Sequence, residues 1–357
     1  MTARDELAAG GLLDSGWYLN RYPDIAAAGA DPLDHFLRFG GEEGRAPNPW
    51  FDPAWYLEQH PEAGPSGLDA LLHYQREGDR SGLRPAPHFD PAWYRASYAL
   101  SPESLALAHF LAHRISGRFL PNPLLYAVPF LPEYAPMQAA GMDPFERYLR
   151  DARPNALPDV ALVARSGLVD ENFYLINGSD VYDAGAQAAD HFCRYGWREN
   201  RQPNIYFDTV WYRLTNPDVG RLGINPLLHY ILEGEAADRR PIPWFEPGWY
   251  RRTYAVPDGQ TALAHFLANR RTQRVSPTHL FDVAWFVARH ARRLGPERDP
   301  FAWYLQAGTL EDIDPSPQFN AAAYRRQHTG RRSRAFPGLM TPERHNPLVH
   351  YLRSQYR

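Results

Sequence analysis

Apolar residues along this chain come in short bursts with a helical period, and proline or glycine interrupts every burst. In Phe51-Asp52-Pro53-Ala54-Trp55-Tyr56-Leu57, Asp52 suits a helix N-cap and Pro53 the first helical position, where a missing N–H costs nothing. Phe51 and Tyr56 are placed for a hydrophobic staple. Pro61, Gly64 and Pro65 predict the stop of this first helix. A second helix is predicted downstream, clearest in Asp31-Pro32-Leu33-Asp34-His35-Phe36-Leu37-Arg38-Phe39-Gly40. There Leu33, Phe36 and Leu37 share one face, with an Asp cap before and a Gly after. No useful run alternates apolar and polar residues with period two, so negligible sheet is expected.

The pattern then repeats. The Trp of the first helix recurs at positions 17, 55, 93, 211, 249 and 285, with weaker copies marked by Pro129, Phe173 and Ala323. An aromatic of the second helix, usually preceded by His, recurs in step: His35, His73, His109, His191, His229, His265 and His350. A longer period lies above this one. Trp55 and Trp211, Trp93 and Trp249, and Phe36 and Phe192 are each 156 residues apart, so a block of four helix pairs was duplicated whole. The expected organisation is an N-terminal cap at 1–12, blocks at 13–168 and 169–318, and a ninth, capping pair at 319–357 with an insertion around 331–341. Helices this short are marginal alone, so neighbouring pairs must supply the core. The expected fold is all-α, tandem short helix pairs arranged as a solenoid or as two compact four-unit lobes.

Phe-Asp-Pro-x-Trp-Tyr-Leu, Tyr-Pro-Asp, Asp-Pro-Leu-x-His-Phe and Glu-Gly-Arg-x-Pro-Asn-Pro, carried by 14–49, 51–87, 173–204 and 207–243, resemble a repeat of alphaproteobacterial proteins. That repeat sits beside glycosyltransferase domains or in large secreted calcium-binding repeat proteins. The resemblance implies a glycan-related or cell-surface setting and transfers no catalytic residue.

Composition narrows the function classes. Charged residues are 22% of the chain and the net charge is −3, without the basic excess of a nucleic-acid binder. No apolar run is long enough to cross a membrane. Met1 to Ser15 holds acidic residues and no apolar signal core, so a cytoplasmic location, or export without a cleaved N-terminal signal, is expected. The lone Cys193 excludes an intrachain disulfide.

The candidate chemistry is thin. Histidines spaced along an array do not converge on one metal, and each is expected to bond a loop carbonyl. His109 and His113 have chelating i, i+4 spacing without a supporting Glu, and Asp312-Ile313-Asp314 stands alone. No phosphate-binding glycine loop, nucleophile elbow or zinc-protease motif is present. No catalytic residue, metal or cofactor is therefore assigned. Aromatics make up 14% of the chain, more than the repeated first-helix Trp, expected in the core, accounts for. Trp50, Trp197, Trp244 and Trp303, with Arg45, Arg201, Asn48 and Asn204, are the candidate surface for stacking on sugar rings. The expected function is non-catalytic binding, to a bacterial surface polysaccharide or to a protein of a surface-glycan system. The alternatives are an enzyme of glycan synthesis using a cleft between the blocks and a purely structural spacer.

Overall fold

The computed structural model describes residues 2–151, 157–328 and 346–355; the insertion expected at 331–341 lies outside them. The described residues are all helix, turn and loop, with two isolated bridges, Asn204 to Phe207 and Ser316 to Phe319, and no strand. No helix among them is long and apolar enough to cross a membrane. The chain divides into two compact units, Met1–Pro158 and Asp159–Arg357.

Each repeat is built from its punctuation. The cap aspartates Asp14, Asp52, Asp90, Asp170, Asp208 and Asp282 accept the backbone N–H three residues on. Each also donates its own N–H to a proline carbonyl at the far end of its repeat: Asp14 to Pro47 at 3.0 Å, Asp52 to Pro85 at 3.1 Å, Asp208 to Pro241 at 3.1 Å. Phe51 packs on Tyr56 with ring centroids 5.4 Å apart, and Phe207 on Tyr212 at 5.2 Å. This staple turns the Tyr, not the preceding Trp, into the core. Tyr18, Tyr56, Tyr94, Tyr212 and Tyr250 are fully buried, whereas Trp17, Trp55, Trp93, Trp249 and Trp285 are half-buried and only Trp211 is enclosed. The first-helix Trp, expected in the core, stands at its edge.

The second helix departs from regular α geometry. Phe36–Gly40, Tyr74–Gly78, Phe192–Gly196 and Tyr230–Gly234 form π turns, in which Gly41 N–H reaches Phe36 C=O (2.9 Å) and Asp79 N–H reaches Tyr74 C=O (2.9 Å). The closing glycine explains them. A Cβ on Gly78 would lie 2.4 Å from the Tyr56 hydroxyl, and one on Gly196 would lie 2.0 Å from that of Tyr174. Where Arg114 and Arg270 replace this glycine, no π turn forms, and Ala106–His113 and Ala262–Asn269 end in a single 3₁₀ turn.

Gly78→Ala is therefore expected to cost about 1–3 kcal/mol through overpacking. Part of that cost should vanish in a Tyr56→Phe background, because the ring carbon bearing the hydroxyl is 3.6 Å away, while Tyr74 Cδ2 still lies at 3.1 Å. A urea double-mutant cycle measures the coupling; additive costs would show that the hydroxyl is not what demands the glycine.

In the fourth pair of the first unit the first α-helix survives only as Ala135–Ala139, its N-terminal part being lost. Two 3₁₀ turns, Pro123–Leu125 and Val128–Phe130, replace it, in a stretch carrying Pro121, Pro123, Pro129 and Pro132, where helix interiors are disallowed. In the second unit a long helix, Val283–Leu294, occupies this place.

Candidate functional site

The residues selected as a sugar-stacking surface are structural. Trp50 and Trp244 are 1% and 0% exposed, Trp197 is buried, and Asn48 and Asn204 are fully enclosed. Asn48 Nδ2 donates to Leu12 C=O at 2.7 Å and Asn204 Nδ2 to Leu168 C=O at 2.7 Å, so both close a repeat from inside. Trp50 Nε1 donates to Asp143 at 3.0 Å, and Trp197 Nε1 to Cys193 C=O at 3.1 Å. Arg45 forks onto Asp24 at 3.2 and 3.0 Å and also grips Glu43. Arg201 does the same with Asp180 and Glu199. Each Arg hydrogen bond holds its aspartate below the usual carboxylate range. Trp303 is half-buried against Phe286 and His290, with Arg293 over its ring at 5.4 Å. These residues build the framework, and they do not assemble into one surface.

The recurring His is spent in the same way, though not on a loop carbonyl. Its Nδ1 meets the core Tyr hydroxyl: His35 with Tyr18 at 3.1 Å, His73 with Tyr56 at 2.8 Å, His191 with Tyr174 and His229 with Tyr212 at 2.9 Å. Tyr and His satisfy one another inside the repeat, as buried polar groups must. His113 stacks on His109 and bonds its carbonyl. Asp312 pairs with Arg325, and Asp314 accepts Ala321 N–H. Among the described residues no three His, Cys, Asp or Glu side chains gather as metal ligands would. Burial pushes the Cys193 thiol far up, reinforced by the Asp159 carboxylate beside it.

His229 is the most enclosed of the series, 4% exposed. Burial, reinforced by the charge of Arg239, lowers its pKa to about 4 against the opposing pull of Glu233 and Asp218. The folded value lies below the unfolded one of about 6.5. The unfolded chain therefore takes up a proton that the folded chain refuses, and stability falls as pH falls from about 6.5 towards 4. The loss is expected to be on the order of 3 kcal/mol. Buried Asp143, Asp159 and Asp208 and the largely enclosed Asp299, whose pKa values desolvation raises, act in the opposite sense. That contribution is common to wild type and His229→Gln, so the difference between their urea-stability curves isolates the histidine. Parallel curves between pH 7 and 4.5 would contradict this assignment.

A groove of about 970 Å³ opens in the second unit. Leu162, Ile231, Ala264 and Leu267 make its apolar floor. Two ion pairs flank the floor, Arg251 with Glu235 and Arg270 with Asp170. Arg165 and Asp258 stand exposed at the rim with Gln260 between floor and solvent. No protein-family model, curated protein or solved structure matches the chain. What the groove takes must therefore be argued from its own chemistry. Sequence reasoning missed it, since its residues come from the segment before the second block and from three repeats of that block, and share no motif.

Proposed function

We propose that this chain is a non-catalytic helical-repeat binding protein of a bacterial surface-glycan system, with polysaccharide as its ligand. The observation that carries the reading is where the polar chemistry goes. The Tyr–His pairs, cap aspartates, loop asparagines and motif arginines are spent on contacts with other parts of the chain. The open groove of the second unit combines an apolar floor with exposed hydrogen-bonding groups, which suits binding. The resemblance of the repeat to glycan-associated proteins points the same way.

The test is sedimentation and calorimetry of the intact protein against the producing organism's capsular and lipopolysaccharide glycans, with product analysis alongside. Stoichiometric binding without cleavage or transfer is expected. Release or transfer of sugar at a catalytic rate would replace this reading with the enzyme. Absence of binding to every glycan would leave the scaffold or spacer.

A further inference from the structure

The duplication supplies an internal control for the groove. Residues 156 apart make the same contacts in both units. Asp79 accepts from Tyr74 and Ala106 N–H as Glu235 does from Tyr230 and Ala262 N–H. Arg114 reaches Asp14 and Asp143 as Arg270 reaches Asp170 and Asp299. Yet the place of the groove in the first unit is crossed by side chains. The Gln75 carboxamide donates to Glu6 C=O at 2.7 Å, Arg76 forks onto the Glu6 carboxylate at 2.7 and 2.8 Å, and Arg80 reaches Pro102 C=O at 3.4 Å. Gln75 can lie there because Gly10 has no side chain: a Cβ on Gly10 would be 2.2 Å from the carboxamide oxygen.

In the second unit every part of that plug is gone. Ile231, Leu232 and Ala236 stand where Gln75, Arg76 and Arg80 stand in the first, and Ser166 takes the place of Gly10. Meanwhile the rim has gained hydrogen-bonding groups in Arg165 for Ala9, Asp258 for Pro102 and Thr261 for Leu105, with Gln260 for Ser104 and the loss of Glu103 to Gly259. Loss of the plug together with a more polar rim is what a ligand that brings its own hydrogen bonds requires.

We infer that this groove is the ligand site and that it takes a neutral, hydroxyl-rich oligosaccharide; the inference rests on the binding function proposed above. Three arginines and three carboxylates line the groove, so it carries no net charge and no preference for an anion or a cation. Arg251 and Arg270 are already held by Glu235 and Asp170, which leaves them as oriented donors and not as free charges. Arg165 and Gln260 supply donors and Asp258 an acceptor, at an exposed rim. Such a mixture matches hydroxyls, each of which donates and accepts. The Leu162, Ile231 and Leu267 floor matches the C–H face of a pyranose. The volume is of ligand-site size, about 300–1,000 Å³, enough for several sugar residues.

The test is calorimetry of the full chain with linear neutral pentasaccharides of glucose, galactose, mannose and N-acetylglucosamine. A uronic-acid oligomer and an unrelated neutral peptide serve as comparisons. At least one neutral sugar is expected to bind, with affinity unchanged between about 0.1 and 0.5 M salt. Ser166→Gly/Ile231→Gln, which restores the Gln75 and Gly10 part of the first unit's plug, should weaken it about tenfold or more. Arg165→Ala/Asp258→Ala, confined to exposed side chains, should weaken it too, and circular dichroism melting checks that both variants fold. Binding that survives both double substitutions would overturn the site while leaving the glycan-binding function standing. Binding only of the uronic-acid oligomer, or only of the peptide, would overturn the ligand class. Binding of none of these probes would overturn the site, and the function falls with it only where the organism's own glycans also fail to bind.

Discussion

Asp79→Ala is expected to cost about 3–5 kcal/mol, the range for removing one partner of a buried ion pair. Asp79 is 0% exposed, and its carboxylate is shared between repeats. It accepts from the Tyr74 hydroxyl at 2.9 Å, pairs with Arg95, and accepts the backbone N–H groups of Ala106 at 3.0 Å and Leu107 at 3.2 Å. Those two amides open helix Ala106–His113, whose own N-cap is Leu105 and carries no capping side chain. The helix is thus capped from the preceding repeat, and its orphan donors have no local substitute. Removing the carboxylate strands two amides and a phenol in the interior and leaves Arg95 without its counter-charge. Glu235 plays the same part in the second unit, accepting from Tyr230 at 3.0 Å, Arg251 at 2.7 Å and Ala262 N–H at 2.8 Å. There Thr261 also caps its own helix through Ala264 N–H at 3.1 Å, so Glu235→Ala should cost about 1 kcal/mol less. Urea unfolding followed by circular dichroism measures both, fitted with a separate transition for each unit where the curves require it. A loss below about 1 kcal/mol for Asp79→Ala would show that water replaces the carboxylate without difficulty.

The all-α fold was legible in the sequence because its determinants are local. Asp-Pro starts, Gly and Pro stops and the Phe–Tyr staple act within a few residues, and the repetition shows them many times over. The core identity of Tyr over Trp was legible too, since a staple fixes which residue turns inward, but the larger aromatic drew the assignment. The π turn had a signal as well: a Gly five residues after the His, as in His73 and Gly78, and Arg there where the turn is missing, as in His109 and Arg114. The candidate surface was not legible. Trp50 and Asn48 lie in a Pro-rich loop, and such loops face solvent in most folds. Here the loop is clasped by the cap of its own repeat and by Asp143, from far along the chain. Sequence pattern gives no distance between residues 50 and 143. The partners of Arg45 and Arg201 lie 21 residues away, which is likewise invisible to helical periodicity. The groove is legible only by subtraction, by setting one block against its duplicate once the contacts are known.

That subtraction also sharpens what is expected at Trp50. Its indole packs edge-on against Phe110 at 5.0 Å and donates to Asp143, while Tyr206 in the second unit packs edge-on against Phe266 at 4.8 Å and donates to Asp299 at 2.7 Å. Two different aromatics therefore meet one requirement: a flat apolar body ending in a donor that reaches a buried carboxylate. Burial raises the pKa of Asp143, opposed by the Trp50 indole, backbone amides and Arg114, so losing the donor leaves a carboxylate harder to keep charged. Trp50→Ala should cost about 3–5 kcal/mol, cavity and lost packing together. Trp50→Phe keeps most of the packing and strands the carboxylate, for about 1–3 kcal/mol. Trp50→Tyr should be the mildest of the three, because the second unit already works with that residue. Trp244 provides the contrast: it is equally buried, but its indole N–H has no partner among the described residues, so Trp244→Phe should cost packing, including that against Arg353 over its ring, and strand no carboxylate. The order Tyr, Phe, Ala at position 50 in urea unfolding is the decisive reading. If Phe at position 50 proves as stable as Tyr, the hydrogen bond to Asp143 contributes nothing, and the aromatic is held there by shape alone.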